Sequence, residues 1–262
     1  MSSEVEPGYS DGGGHLELIW GEGFLSPGGA AEVARTLAGA DIGGCEVLDV
    51  GSGLGGADIA LARVHGAASV IGIDVQEDLV ELAGRRAADA GLDQRIDYRL
   101  VAPDSPLPFA DMSFDVVFSK DSIIHVEDKE ALYREAFRVL RPGGRLFVSD
   151  WLRGEAEELT PQVGEFVEAA GHLFTMISLG EAAAIVERVG FVGVEVEDRR
   201  EWYLDEATSE LARLRGPLGR QFIERWGEED AQEEVEFWEV LVRSLSTGAL
   251  SPGHVRAHKT DA

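Results

Sequence analysis

Cysteine, long apolar runs and basic clusters are all scarce in this chain, and each scarcity excludes something. The single cysteine, Cys45, cannot close an internal disulfide or build a cysteine-cluster metal site, so a reducing cytoplasm is the expected setting. No stretch approaches the ~18 consecutive apolar residues of a membrane span, and the opening Met1-Ser-Ser-Glu-Val-Glu is acidic where a signal peptide would be basic. Lysine and arginine number 23 against 49 acids, a formal net charge of −26. Such a field repels phosphate backbones and anionic headgroups, so neither nucleic acid nor a membrane is an expected partner. A small, neutral or cationic substrate fits it better. His65, His172, His254 and His258 do not stand at metal-ligand spacing with an acid pair, and two histidines on one strand are not a site, so no metal is expected.

What is present is a core former: 262 residues, 44% of them apolar, enough for one α/β domain with an appended lid. Residues 1–14 are polar and glycine-rich, and a flexible N-terminus is expected there. From His15 to Ala30, aromatic and apolar residues stand between glycines in a segment too broken for a core helix, which suggests a flap over a site. Helical spacing follows over 30–40. Then strands at 46–50, 69–74, 96–101, 114–119 and 145–150 alternate with helices to about 64, at 76–90 and at 129–140. Arg141-Pro-Gly-Gly144 marks a turn. This alternation predicts a parallel, Rossmann-like sheet with helices on both faces. Beyond Asp150, a helix at 179–189, a strand at 191–196, two acidic amphipathic helices at 201–226 and 228–245, and an edge strand at 254–258 are expected. One domain over 15–262 accounts for all of it: flap and lead helix to 45, cofactor core at 46–150, and lid helices with the last strands at 151–262.

The chain is organised around Glu46-Val-Leu-Asp-Val-Gly-Ser-Gly-Leu-Gly-Gly56, a buried strand running into a glycine-rich turn and a helix. Asp74 ends the next strand 23 residues after Gly51, the offset at which an acid reaches a bound ribose. Gly51-x-Gly53-x-x-Gly56 also matches the dinucleotide pattern, so an NAD-dependent oxidoreductase stays open; a cofactor-binding protein without turnover is a separate alternative. Against a dinucleotide stands Asp49, two residues before the first glycine, where a carboxylate opposes an incoming pyrophosphate and favours a ligand with an amino group and a sulfonium.

Leu48-Asp-Val-Gly-Ser-Gly-Leu-Gly, Gly72-Ile-Asp74, Phe114-Asp-Val-Val-Phe-Ser119 and Val139-Leu-Arg-Pro-Gly-Gly144 together resemble the class I S-adenosylmethionine-dependent methyltransferases. That resemblance implies a seven-stranded sheet with its last strand antiparallel. It implies S-adenosylmethionine as cofactor and S-adenosylhomocysteine as product. It also implies cofactor contacts from Asp49, Gly51, Ser52, Gly53, Asp74, Val75, Gln76 and Ser119, with either Ala102 or Asp104 at the adenine amino group.

Phe24-Leu-Ser-Pro-Gly-Gly29 and Ser119-Lys-Asp-Ser-Ile-Ile-His125 narrow the likeness to the phosphoethanolamine N-methyltransferases. By it, Leu25 and Ser26 touch the cofactor, Asp121 binds the substrate amine and His125 is the catalytic imidazole. Physical chemistry agrees: amine methylation needs a neutral nitrogen lone pair and a group that removes a proton near working pH. One helical turn would set Asp121 and His125 on one face. The chain departs from that subfamily where Leu16 replaces a flap tyrosine, and where 171–178 offers His172 and Phe174 instead of phosphate-gripping arginine and phenol groups. Trp20, Phe24, Trp151 and Phe174 are therefore expected to wall a substrate pocket for an apolar molecule or a methylated ammonium. An amine N-methyltransferase is the expected function, with O- or C-methylation of an apolar metabolite as the alternative. Either a monomer or a homodimer is compatible, since the acidic C-terminal helices would serve as lid or as dimer contact.

Overall fold

A computed structural model describes residues 14–155, 160–171 and 174–261. The strands are β1 (Glu46–Val50), β2 (Ser69–Asp74), β3 (Ile96–Leu100), β4 (Phe114–Lys120), β5 (Leu140–Asp150), β6 (Val192–Asp198) and β7 (Gly253–His258). They form one seven-stranded sheet in the order β3-β2-β1-β4-β5-β7-β6. β1 pairs in parallel with β2 and β4, whereas β7 runs antiparallel to both β5 and β6.

Alternation along β1 explains why both faces are covered: Val47 joins one apolar cluster and Leu48 the other. On the Val47 face lie α2 (Gly29–Leu37), α3 (Gly56–Arg63) and α4 (Glu77–Asp89). On the Leu48 face lie α5 (Lys129–Val139) and α7 (Leu179–Val189), the latter opened by a reciprocal Ser178–Glu181 capping box. A third cluster surrounds the fully buried Trp238. It is built from α1 (Gly14–Trp20), α6 (Pro161–Ala170), α8 (Arg200–Leu214), α9 (Pro217–Trp226) and α10 (Glu228–Thr247). No helix among the described residues is long and apolar enough to cross a membrane.

Four expectations are corrected. The segment from His15 is not uniformly irregular: Gly14–Trp20 is helical, held by Glu17, which receives the Arg86 guanidinium at 2.7 Å and the Gly23 N–H at 2.5 Å. The expected helix at 201–226 is two, because Pro217 lacks an N–H and occupies the first turn of α9 after Gly216. Residues 254–258 do not form the edge. Most of β7 is buried, whereas β6, with its glutamates and exposed Val192 and Val196, takes that place. Arg141–Gly144 is a register irregularity inside β5, after which pairing with β4 jumps from Leu140 opposite Phe114 to Arg145 opposite Val116. Of the flexible N-terminus expected over 1–14, residues 1–13 lie outside the described residues and Gly14 opens α1.

Candidate active site

A cavity of about 840 Å³ opens along the loops that follow β1, β2, β3 and β4. Its floor is the glycine turn, whose first amides, Gly51 and Ser52, both donate to the Ile73 carbonyl at 2.9 and 3.0 Å. Gly51 has φ of 78°, and a Cβ there would lie 1.7 Å from the Ser122 hydroxyl oxygen, so no other residue fits. Asp74 accepts from the Gly53 N–H at 2.9 Å and the Gln76 N–H at 3.0 Å. Burial pushes its carboxyl up, and bonds from Gly53, Gln76 and Val75 oppose that rise. Beside these bonds the carboxylate keeps lone-pair capacity to accept from a diol.

Asp49 is 1% exposed on the wall of this cavity, and its Oδ1 has no hydrogen-bond partner, nor has the Ser52 hydroxyl. Burial pushes the Asp49 carboxyl up to about 7; Asp58 and Lys120 restrain the rise and Asp74 adds to it. Asp58, wholly buried behind it, is pushed well above the carboxylate range by burial and by Asp49. An acid lacking a cation and a hydroxyl lacking a partner fit a ligand that brings an ammonium, and Asp74 fits its ribose.

Leu25, Ser26, Val75, Gln76, Ala102 and Asp104 also line this cavity, so both candidates for the adenine edge stand on its wall. Ser119 does not. Its hydroxyl donates to the Val50 carbonyl at 2.8 Å, tying β4 to β1 inside the sheet and away from the ligand space. Phe24 is expected at the substrate but lines the cofactor-side cavity, because the Gly23 carbonyl docks on the Gly56 N–H at 3.0 Å and carries its neighbour there.

A second cavity, of about 580 Å³, lies under the helices around Trp238. The two cavities share Leu25, Ser26, Asp121 and His125. Asp121 follows β4 with φ of 54°, in the left-handed region that Asp tolerates better than most residues, and its N–H donates to the Ser149 carbonyl at 2.7 Å. Its carboxylate receives the Lys120 ammonium at 2.6 Å and the Tyr203 hydroxyl at 3.2 Å. Lys120 also donates to the Ser26 hydroxyl at 2.5 Å, which fastens the flap to this point.

No α-helical turn joins Asp121 to His125. Ile123–His125 is a short 3₁₀ turn, and the lysine at the start of α5 braces it. The Lys129 ammonium donates to the Ile123 carbonyl at 2.7 Å and the Val126 carbonyl at 2.9 Å, on either side of His125. Asp150 accepts from the Ile124 N–H at 3.2 Å. Burial pushes Asp150 up to about 8 against the pull of Lys129, with Asp121 adding to the rise, and burial pushes Lys129 down.

Trp20, Trp151 and Phe174 line the second cavity as expected positions for substrate contact, whereas His172 lies outside the described residues. Trp20 is also a clamp: its indole N–H donates to Glu210 at 2.8 Å, beside that of Trp238 at 3.0 Å. The sequence reasoning missed Lys120, Lys129, Tyr203 and Glu210, and the wall residues Phe166, Trp226 and Phe237. Trp226 and Phe237 left a signal, as aromatics on the two acidic helices expected at 201–226 and 228–245, whereas Phe166 stands on α6, a helix not expected. Among the described residues, no group of three or more His, Cys, Asp or Glu side chains is placed to hold a metal ion.

A family model described as a methyltransferase domain matches residues 48–148. Phosphoethanolamine N-methyltransferase 1 of Arabidopsis thaliana is 32% identical over 248 residues, covering 93% of this chain and 48% of the relative. Methyltransferase GfsG of Streptomyces halstedii is 36% identical over 156 residues, 59% of this chain and 55% of that protein. The chain thus spans about half the length of the curated relatives it matches. In fold it is similar to phosphoethanolamine N-methyltransferase 2 of Haemonchus contortus, solved with phosphomonomethylethanolamine and S-adenosylhomocysteine. The TM-score is 0.87 at 24% identity, over 98% of this chain and 59% of that one.

Proposed function

Since the chain belongs to the class I S-adenosylmethionine-dependent methyltransferases and resembles the phosphoethanolamine N-methyltransferases among them, we propose that it methylates a small molecule at an amine nitrogen. The observation that carries this reading is the meeting of the two cavities at Leu25, Ser26, Asp121 and His125. A ligand on Asp49 and Asp74 lies on one side of that junction and an acceptor walled by aromatics on the other.

The cofactor, when bound, supplies a methyl group on a sulfonium. The chain supplies the rest. Asp74 holds the ribose, Asp49 and Ser52 the amino-acid end, and Leu25 with Ser26 close the flap against water. Asp121 orients the acceptor amine, its own carboxylate fixed by Lys120 and Tyr203. His125 takes the acceptor's proton, because a protonated amine has no lone pair to offer.

The test separates chemistry from binding. His125→Ala is expected to lower kcat by about a hundredfold or more, while S-adenosylhomocysteine binds with unchanged affinity in calorimetry. Asp74→Ala is expected to do the reverse first, weakening that binding by removal of charge-assisted bonds. Unaltered turnover in the His125 variant would take the imidazole out of the mechanism, and tight NAD binding without a response to S-adenosylhomocysteine would replace the cofactor.

A further inference from the structure

The chemistry of the acceptor cavity is unlike that of a phosphate site. Its walls are Trp20, Trp151, Phe166, Phe174, Trp226 and Phe237. Phe174 stands edge-on to the His125 ring at 5.1 Å between centroids and stacks on Phe166 at 5.8 Å. Phe166 in turn meets Phe237 at 5.9 Å, so one aromatic surface runs from the imidazole out to α10. Ala169 and Ala170 add further apolar wall.

Charge points the same way. The described lining holds no lysine or arginine, its basic side chains being His15 and His125, while Asp121 and Asp230, Glu233 and Glu234 of α10 are its acids. The Lys120 ammonium lines the cofactor side and is already bound to Asp121 and Ser26, and that of Lys129 is bound to the Ile123 and Val126 carbonyls. A phosphate brought here would lose its water and meet carboxylates instead of guanidinium groups, an uncompensated desolvation. A cation meets the opposite: acids that concentrate it at the mouth and ring faces that accept it inside. The volume of about 580 Å³ falls within the roughly 300–1,000 Å³ of sites for drug-sized ligands, larger than a two-carbon amino alcohol requires.

We propose that the acceptor is a cationic amine carried on an apolar, ring-sized or larger body and bearing no phosphate, held along the aromatic wall with its nitrogen at Asp121 and His125. This rests on the methyl-transfer reading above. The acceptor ammonium gives a proton to the His125 imidazole, and the freed nitrogen lone pair forms the N–C bond. The S–C bond breaks with its electron pair left on sulfur, giving a methylated ammonium and a neutral thioether. The product keeps its positive charge, which the ring faces and the acidic mouth tolerate.

The test is a labelled-methyl transfer assay on the full chain with four acceptors: tryptamine, phenethylamine, 2-phenylethanol and phosphoethanolamine. Both arylalkylamines are expected to exceed phosphoethanolamine in kcat/KM by about a hundredfold or more, since the phosphate lacks its charge-assisted bonds. Trp226→Ala is expected to raise the KM for tryptamine by about tenfold. Glu233→Gln, an exposed change that leaves the fold alone, is expected to raise it by about two- to fivefold without affecting 2-phenylethanol. A preference for phosphoethanolamine, equal or better use of the alcohol, or transfer to none of the four with S-adenosylhomocysteine still bound would each overturn the acceptor class alone. Failure to bind S-adenosylhomocysteine would overturn the underlying reading instead.

Discussion

Two carboxyls buried side by side cannot both stay ionised without a cation between them, and Asp49 and Asp58 are such a pair. Their surroundings supply only Lys120 at a distance, so the pair keeps a proton near neutrality, with Asp49 titrating at about 7. A ligand ammonium beside Asp49 favours its ionised form, so binding expels that proton. The sign follows: below about pH 7 the ligand competes with a proton, and above it the competition ends. The dissociation constant of S-adenosylhomocysteine, measured by calorimetry from pH 6 to 8, is expected to fall several-fold and level off. Asp49→Asn should flatten that profile and weaken binding at the upper end. A wild-type profile that is already flat would remove Asp49 from contact with the ligand.

At the scale of elements, the question is what keeps α1 over the site. Three attachments do: Glu17 to Arg86 of α4, the Gly23 carbonyl on the Gly56 N–H, and Trp20 on Glu210 of α8. Glu210 is buried, which pushes its carboxyl up, and it stays tolerable because the indoles of Trp238 and Trp20 both donate to it. Glu210→Gln offers one oxygen to two donors and buries an amide, at a cost of about 1–3 kcal/mol. Hydrogen exchange should then quicken over residues 14–28 more than over α5 or α7; acceleration confined to α8 and α10 would rule out the clamp. None of this was legible beforehand, because Trp20 and Glu210 lie far apart in sequence and their pairing leaves no periodicity. The strands and turn of the core were legible, because Val47–Gly56, Asp74 and Phe114–Phe118 are local patterns, whereas Ser119, expected at the ligand, ties β4 to β1 instead. The place of β7 was not: a strand at the chain's end looks like an edge until its burial is set against the exposed glutamates of β6. Asp121 and His125 were found as a pair, yet by a helix that does not exist. Their real supports, Lys129, Asp150 and Tyr203, act through backbone carbonyls and buried contacts that residue spacing does not encode.

A molecule with a net charge of −26 repels itself, and where it gathers positive charge is therefore informative. The buried Glu32 of α2 receives the Arg199 guanidinium through two bonds, at 3.1 and 2.8 Å, and faces His254 Nε2 at 2.8 Å. Arg256 reaches His254 Nδ1 at 2.9 Å and Glu197 at 2.7 Å, so α2, β6, β7 and the start of α8 meet in one ionic knot on the Val47 face of the sheet. With Arg256 donating to Nδ1, the His254 proton sits on Nε2 and points at Glu32. Burial alone would push Glu32 up, but bonds from His254 and Arg199 outweigh it and bring the carboxyl down from 4.5 to about 2. A carboxyl whose folded value is depressed stabilises the fold above its unfolded value and loses that contribution as pH falls toward the folded one. The window here runs from about 4.5 down to about 2, and the contribution at pH 6 is about 3 kcal/mol. Glu32→Gln, which keeps the shape and deletes the charge, should lower stability by about that amount at pH 6 in urea titrations. Its deficit against the wild type should shrink steadily as the titrations are repeated below pH 4.5 and approach zero near pH 2. A deficit that stays constant across that window would mean that Glu32 acts by packing alone, and that the knot's charges cancel without stabilising the sheet.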